Sequence, residues 1–375
     1  MQERCMNQTI LLHSLLNDQG GAARVSQLLQ NSCRQAERGV RRTCEVADRS
    51  DETTQVIAPE SVGQERRAGE ILHIHSTASW ADLLQGCQHN PSRTVITLHD
   101  TRLLTDGHLF LGTYAASHAE DGDISRQQCA PAGTGSVANL LQGVRPLLVA
   151  PSRWMAGMAR EVFPDLNVAI VPNGVPWPAA SKTLGHRVVS GGPIVLFVAH
   201  GGQQAHIKGG DSWQALWECI KANIPLCKGF FVGGERTEHQ GDITILPYLP
   251  SHALASLMAK ATLLVYPTRA DNHPLVVLEA MAQKLPCIAF DVGGIPEQIR
   301  DGETGVLVRA GDEHDFVEQT IALLRSPSRC RRLGETAFQT GRQRFSLERM
   351  GAGYERIYAR MEQEGEVRCD DRGSS

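Results

Sequence analysis

Residues 262–297, TLLVYPTRADNHPLVVLEAMAQKLPCIAFDVGGIPE, constrain the fold more than any other stretch of the chain. They predict a buried strand at Leu263 to Tyr266, a polar turn at Arg269 to His273, and a helix that begins at Pro274. Proline suits the first helical position because the N–H it lacks would be unpaired there in any case. A second apolar run, Cys287 to Phe290, predicts another buried strand, and two glycines follow it. This order indicates a parallel β-α-β unit.

The start of the predicted helix is a candidate anion site. The backbone N–H groups of Leu275 and Val276 have no partner within the helix and are free to bind phosphate oxygens. Glu279 lies about one turn further along, on the same helix face. A carboxylate there is too deep for the phosphate but can accept hydrogen bonds from the vicinal hydroxyls of a sugar. Asp271 precedes the helix, where it can reach a second sugar beyond the phosphates.

This stretch resembles the motif of the retaining nucleotide-sugar glycosyltransferases of family GT4. The segments DNHPLVVLEAMA and DVGGIPEQIRDGETGVLV carry the resemblance, and Asp271 stands where the family usually has Glu. The resemblance implies an α/β protein of the GT-B fold, with two Rossmann-like domains facing one another across a cleft and a C-terminal helix that crosses back to the first domain. An ordinary β-α-β crossover with two surface acids is the structural alternative.

Composition and charge bound the function classes. A chain of 375 residues, 41% hydrophobic and 21% charged, predicts a globular protein of two domains. The formal net charge of -4 argues against nucleic-acid binding. The ten cysteines include no Cys-x-x-Cys pair, which favours reduced thiols over a zinc or disulfide framework. Neither a signal peptide nor a bilayer-spanning stretch is evident, so a cytoplasmic location is expected.

A glycine turn marks the beginning of the first predicted domain. Thr9 to Leu16 predicts a strand, Gly20 and Gly21 a tight turn, and the following apolar period a helix. GGAARVSQLL resembles the opening loop of the family, where the glycines let donor or acceptor approach the backbone. A purely structural turn is the alternative.

Histidines follow two of the predicted strands in this domain. Val95 to Leu98 ends before His99, and ligands of open α/β sheets gather where parallel strands end. TLHD resembles the family segment whose His lies by the donor sugar and the acceptor, although a structural histidine is a rival interpretation. His73 and His75 share a strand face and could hold a metal, but no third ligand has suitable spacing. Packing and lining of the cleft is the favoured interpretation of this pair.

Lys208 is the candidate cation of the second predicted domain. It precedes two glycines after the apolar run Ile194 to Ala199, and a cation at such a turn can neutralise phosphate. The family supplies an Arg and a Lys to the diphosphate here. Lys208 matches the Lys, no Arg occupies the turn, and His200 or His206 stands near that position. A solvated surface lysine is the alternative.

Two further segments frame the predicted domains. VPNGV resembles a landmark that closes the first domain, and Asn173 with Gly174 predicts a turn that needs positive φ. The aperiodic residues up to about Gly135 predict a loop and partial helices over the acceptor side. The predicted organisation is a first domain at 1–178, a linker at 179–192, a second domain at 193–345, a crossing helix at 346–362 and a tail at 363–375.

The sequence therefore predicts a retaining transferase that moves a hexosyl unit from a nucleoside diphosphate sugar to a sugar or lipid-linked glycan acceptor, in exopolysaccharide, O-antigen or other glycan synthesis. No metal or other cofactor is expected, and a peripheral inner-membrane contact is compatible with the basic first helix. The alternatives are a non-catalytic sugar-nucleotide-binding protein and an epimerase on the same fold. Predicted catalytic residues are His99, Asp271 and Lys208; predicted donor-binding residues are Gly20, Gly21, Asn173, Lys208, Asp271, Asn272, His273, Pro274, Leu275, Val276 and Glu279.

Overall fold

A computed structural model describes residues 9–48, 54–91, 93–105, 136–178, 191–199 and 206–370. The chain divides into two compact units. The N-terminal unit comprises the described residues up to Gly174 together with those from Leu347 onward, and the C-terminal unit runs from Val175 to Ser346. The predicted acceptor-side loop from residue 106 to Gly135, linker residues 179–190 and His200 lie outside the described residues.

A seven-stranded parallel sheet forms the centre of the N-terminal unit, with strand order β3-β2-β1-β4-β5-β6-β7. The order reverses between β1 and β4, as in doubly wound α/β folds. The strands are β1 Ile10–Leu16, β2 Val40–Val46, β3 Thr54–Val56, β4 Ile71–Ile74, β5 Thr94–Thr97, β6 Leu147–Ala150 and β7 Val168–Ile170. The helices are α1 Gly21–Gln35, α2 Val62–Glu65, α3 Trp80–Cys87, α4 Ser136–Val144 and α5 Arg153–Val162, with a 3-10 turn at Pro59–Ser61.

The C-terminal unit repeats this plan. Its seven-stranded sheet has the order β10-β11-β9-β8-β12-β13-β14, and all pairings are parallel except that of the edge strand β10 with β11. The strands are β8 Ile194–Val198, β9 Lys228–Val232, β10 Glu238–Gln240, β11 Ile243–Leu246, β12 Leu263–Tyr266, β13 Cys287–Phe290 and β14 Val306–Val308. The helices are α6 Trp213–Asn223, α7 Ser251–Met258, α8 Leu275–Ala282, α9 Ile295–Gln298, α10 Glu313–Leu324 and α11 Pro327–Arg344, with a 3-10 turn at His206–Lys208.

The central β-α-β unit follows its sequence closely. Both β12 and β13 are buried along their whole length, as expected for parallel strands covered by helices on both faces. Their bounds confirm the prediction. The helix begins one residue later than predicted, because Pro274 has ψ 128° and is the extended residue that precedes α8.

The last helix, α12, spans Leu347–Asp370 and belongs to the N-terminal unit. Tyr354 and Tyr358 on this helix are fully buried there. The structure continues the helix predicted at 346–362 as far as Asp370, into the segment predicted as a tail. The sequence MEQEGEVRCD contains strong helix formers and no proline, so the helix continues to Asp370.

The polar, aperiodic sequence of residues 49–69 predicts a surface loop, and the structure corrects this for the residues that it describes. Thr54–Val56 pairs with β2 as the edge strand β3, and a 3-10 turn and α2 follow. Strands of three residues are too short to show a hydrophobic period, which is why the sequence did not reveal it. Among the described helices, none is long and apolar enough to cross a bilayer.

Candidate active site

An ion pair lies at the carboxyl edge of the C-terminal sheet. Lys208, in the 3-10 turn after β8, directs Nζ to Oδ2 of Asp271, in the turn after β12. The phenol of Tyr266 donates to the same Oδ2 at 2.6 Å, and the backbone N–H of Asn272 donates to Oδ1 at 2.9 Å. The sequence assigned Lys208 to phosphate and Asp271 to the donor sugar. In the structure they contact each other.

Burial makes this cluster electrostatically strong. The Asp271 side chain is 9% exposed and that of Lys208 is 27% exposed, so solvent screens their attraction less than at an open surface. Burial, with the neighbouring Asp271 carboxylate, raises the pKa of Tyr266 well above its ordinary value. The phenol therefore keeps its proton and remains a donor to the carboxylate. Sequence analysis recognised Tyr266 only as the end of a strand.

Arg269 fixes the turn that carries Lys208. Its backbone N–H donates to the carbonyl of Ile207 at 2.8 Å, and Nη1 donates to both carboxylate oxygens of Asp211 at 2.6 and 2.7 Å. Partial burial works against ionisation of Asp211, but the hydrogen bonds from Arg269 and His206 hold its pKa below the usual value. Arg269 was not among the predicted site residues, because it comes from a different loop than the glycine turn. It supplies a guanidinium beside that turn.

Two glycines permit the close backbone packing behind the ion pair. Gly293 has φ 57°, and a Cβ there would lie 2.0 Å from the carbonyl oxygen of Asp271. Gly209 has φ 70°, and a Cβ there would lie 2.4 Å from the carbonyl oxygen of Pro267. Side chains at either position would displace the turns that hold Asp271 and Lys208.

The N-terminal turn of α8 has the exposure pattern predicted for a ligand face. Leu275, Val276 and Glu279 are half-buried, whereas Val277 and Leu278 are buried in the core. The three-residue and four-residue spacings place Glu279 next to Leu275 and Val276 on this helix face. The first turn of α8 contains no acidic residue, so its N–H groups face no helix carboxylate of their own.

His273 is held behind that helix turn. Nε2 of Gln298 donates to Nδ1 of His273 at 3.0 Å and to the carbonyl oxygen of Pro274 at 3.1 Å. Burial lowers the pKa of His273 to about 3, so the ring is neutral at physiological pH. His273 and the buried Asn272 thus shape the backbone before α8. Gln298 had no role in the sequence analysis.

In the N-terminal unit, three histidines meet at the carboxyl edge of β4 and β5. Nδ1 of His75 lies 2.9 Å from Nε2 of His99. The rings of His73 and His75 have centroids 4.2 Å apart. Burial lowers the pKa of His99 to about 4 and that of His73 to about 3.

His73 has a structural explanation. Its Nδ1 lies 2.7 Å from the hydroxyl of Tyr358 on α12, and its Nε2 lies 2.7 Å from Oγ1 of Thr97. Both ring nitrogens are therefore used within the unit. In the described parts of the chain, no group of three or more His, Cys, Asp or Glu has an arrangement that could hold a metal ion.

The glycine turn after β1 contains an internal anion. The carboxylate of Asp48 accepts hydrogen bonds from the backbone N–H groups of Asn17, Asp18 and Gln19 at 2.9, 2.9 and 2.6 Å. Gly20, with φ 88°, then leads into α1 at Gly21. A Cβ at either glycine would meet no atom of the described residues within 4 Å.

Asn173 does not form the predicted turn. Neither Asn173 nor Gly174 has positive φ. The next residue, Val175, forms a parallel bridge with Ser346. Asn173 is buried within the N-terminal unit.

Comparison with known proteins identifies a family that matches part of the C-terminal unit. Residues 235–340 match the family of glycosyl transferases group 1. The C-terminal unit carries a group 1 glycosyltransferase domain. The matched residues include Asp271, α8 and Glu279, whereas Lys208 precedes them.

Curated relatives of this glycosyltransferase domain share only part of the chain. The chain is 39% identical over 105 residues to N-acetyl-alpha-D-glucosaminyl L-malate synthase of Bacillus anthracis, and the match covers 28% of each protein. It is 32% identical over 166 residues to D-inositol 3-phosphate glycosyltransferase 1 of Catenulispora acidiphila, covering 39% of each chain. The matches thus span well under half the length of these relatives.

Solved glycosyltransferase structures show that the resemblance in fold extends over nearly the whole chain. Sucrose-phosphate synthase from Thermosynechococcus elongatus has a TM-score of 0.70 at 18% identity, over 94% of this chain and 99% of that one. Anabaena Alr3699/HepE, crystallised with UDP and glucose, has a TM-score of 0.69 at 14% identity, over 94% and 99%. The predicted GT-B fold with two Rossmann-like domains is confirmed.

Proposed function

We propose that this protein transfers a hexosyl unit from a nucleoside diphosphate sugar to a hydroxyl group, with retention of the anomeric configuration. One observation carries the proposal. An ammonium group, Lys208, is held by Asp271 at the sheet edge from which α8 begins, within a unit that contains a group 1 glycosyltransferase domain. A cation beside free helix amides is an arrangement suited to a diphosphate.

The parts of the donor follow from the positions of these groups. The diphosphate binds Lys208 and the N–H groups of Leu275 and Val276 at the start of α8. Glu279, half-buried one turn further along the same face, accepts hydrogen bonds from the ribose hydroxyls. Asp271 holds Lys208 in place and lies toward the donor sugar.

The chemical step requires stabilisation of a leaving diphosphate. The bond between the anomeric carbon and the phosphate oxygen breaks, and its electron pair remains on the diphosphate. Lys208 and the helix amides stabilise this growing charge. The acceptor hydroxyl attacks the same sugar face, and its proton passes to the departing phosphate oxygen. We propose that these groups suffice without a metal ion.

The comparisons guide the choice of substrates. Anabaena HepE has been crystallised with UDP-glucose, which makes UDP-glucose the first donor to test. For the acceptor we propose a sugar or lipid-linked glycan hydroxyl of a polysaccharide pathway, used in the cytoplasm or at the inner membrane surface.

The test measures UDP release from UDP-glucose with and without a panel of glycan acceptors, together with calorimetric titration of UDP. Lys208→Ala should mainly lower turnover, because the charge on the diphosphate grows in the transition state. Glu279→Ala should mainly weaken UDP binding. The matched controls are Lys260→Ala and Glu318→Ala at exposed positions, which should behave like the wild type.

Three outcomes would redirect the proposal. Unchanged turnover in Lys208→Ala removes that residue from the diphosphate site. Donor binding without turnover on any acceptor favours a non-catalytic sugar-nucleotide-binding protein. Conversion of the donor sugar without an acceptor indicates an epimerase.

A further inference from the structure

His75 is buried, and its two ring nitrogens have different surroundings. Nδ1 lies 2.9 Å from Nε2 of His99, and the two rings are stacked with centroids 5.2 Å apart. Nε2 of His75 is buried and has no hydrogen-bond partner among the residues that the structure describes. This arrangement lowers the stability of the fold, because a buried polar atom without a partner loses its hydrogen bonds to water and gains none in the protein.

The position of His75 is fixed from several sides. Its backbone N–H donates to the carbonyl of His13 on β1 at 2.8 Å. The ring of His73 packs against it, and His73 is itself held by Thr97 and Tyr358. The ring of His75 therefore cannot turn away from His99 without disturbing β4, β5 and α12.

Proton counting leaves two arrangements for this pair. Burial lowers the pKa of both rings below the ordinary histidine value, so both are neutral near pH 7. A hydrogen bond between two neutral imidazoles holds one proton, so one ring donates and the other accepts. If His75 donates from Nδ1, its Nε2 is a bare acceptor. If His99 donates from Nε2, then His75 must carry an N–H at its buried, unpartnered Nε2.

The second arrangement is the worse one. Among buried backbone groups, orphaned N–H donors are rarer than under-satisfied carbonyl acceptors, and we apply the same order to the ring nitrogens. The first arrangement leaves only an unused lone pair on His75. It also fixes the proton of His99, because Nε2 of His99 is then an acceptor and its proton must lie on Nδ1.

We propose that His75 is a positioning residue that donates to His99 and holds it in the tautomer protonated on Nδ1. His99 then presents an N–H, not a lone pair, on the nitrogen that faces away from His75. Toward a substrate oxygen, His99 acts as a hydrogen-bond donor and not as a base. This substrate role rests on the proposed transferase function, whereas the tautomer follows from the contacts of the two rings alone.

Two variants of His75 separate the effect of its hydrogen-bond donor from the effect of its size. In His75→Asn the amide nitrogen can occupy the place of Nδ1 and still donate. In His75→Leu the side chain has similar size but no donor.

Nitrogen NMR of histidine-labelled protein reports the tautomer of each ring, because protonated and unprotonated ring nitrogens resonate far apart. The loss of signals in His99→Asn assigns the His99 ring, and the exposed His252→Leu is the surface control.

The wild type and His75→Asn should both show His99 protonated on Nδ1, and His75→Leu should shift its proton toward Nε2. Turnover in UDP release from UDP-glucose should fall about tenfold or more in His75→Leu. KM should change little, and His75→Asn should recover most of the turnover. Thermal unfolding establishes that each variant is folded.

The outcomes distinguish this proposal from the transferase proposal. A wild-type spectrum with the His99 proton on Nε2 overturns the assignment of the tautomer. An unchanged His99 tautomer in folded His75→Leu overturns the positioning role. If the tautomers follow the prediction but the wild type transfers no sugar, the transferase proposal fails and the assignment of the tautomer stands.

Discussion

Lys208 and Asp271 form an ion pair across two loops that are 63 residues apart in the chain. The pair joins the turn after β8 to the turn after β12, at the edge where parallel strands end. The carboxylate that accompanies Lys208 is therefore also a negative charge beside the proposed diphosphate position. Its influence on nucleotide binding can be separated from any contact with the donor sugar.

Asp271→Asn should strengthen the binding of UDP several-fold, because it removes a negative charge next to the proposed diphosphate site. Its turnover with UDP-glucose should fall, because Lys208 loses the partner that positions it. Calorimetric titration with UDP and steady-state UDP release measure the two effects. Unchanged UDP affinity with weaker UDP-glucose binding would instead identify Asp271 as a ligand of the donor sugar alone.

Gly293→Ala should destabilise the C-terminal unit by about 3 kcal/mol or more, because it combines left-handed backbone strain with overlap on the Asp271 carbonyl. Gly302→Ala is the matched control. Gly302 has φ 72°, and an added Cβ would meet no atom of the described residues within 4 Å, so this variant should lose only about 1 kcal/mol of unfolding free energy. Urea unfolding measures both. Equal losses of unfolding free energy in the two variants would show that the turn after β13 shifts to accommodate the added methyl group without destabilising the fold.

Acid should destabilise the fold through its buried histidines. His73, His99 and His273 have pKa values of about 3, 4 and 3, below the ordinary 6.5. A depressed pKa gives stability that is complete above the unfolded value and is lost as pH falls toward the folded one. Each such histidine should therefore remove up to about 1.4 kcal/mol per pH unit below pH 6.5.

A variant isolates one of these protons. His273→Gln should reduce the dependence of the unfolding free energy on pH by up to one proton, measured by urea unfolding between about pH 7 and pH 5. The exposed His252→Gln should leave that slope as it is. An unchanged slope in His273→Gln would mean that its folded pKa is close to the unfolded one.

Glu355→Gln should loosen α12. Arg38 donates from Nε to both carboxylate oxygens of Glu355, at 3.1 and 2.9 Å, and from Nη1 to Glu362 at 2.6 Å. Removing one charge from this partly exposed network should cost about 1 kcal/mol. Amide hydrogen exchange should accelerate in α12 and remain unchanged in α8. The exposed Glu318→Gln is the control. Equal amide exchange of α12 in the two variants would show that the Arg38–Glu355 pair does not stabilise this helix.

The local sequence pattern predicted the strands that are buried along their whole length. The runs LLVY and CIAF are short and apolar throughout, as expected of strands covered on both faces, and their bounds were predicted correctly. The half-buried face of α8 also follows from helical spacing alone. The short edge strand β3 did not, because three residues of a paired edge have no pattern of their own.

Tertiary partners were beyond the reach of the sequence. The carboxylate of Asp48 meets the N–H groups of Asn17 to Gln19 only after β1 and β2 have paired. His73 lies within β4 and His75 follows its last residue, yet His73 has both ring nitrogens bonded and His75 has only one. Thr97 and Tyr358, which make this difference, are far from them in the chain.

The place of α12 has a consequence for synthesis on the ribosome. The C-terminal unit is complete once Ser346 has emerged, whereas the N-terminal unit, although translated first, still lacks α12, the helix whose Tyr354 and Tyr358 are buried in it. Domains usually fold in the order in which they emerge. Here the earlier half of the nascent chain must wait for the later half before its own apolar surface is closed.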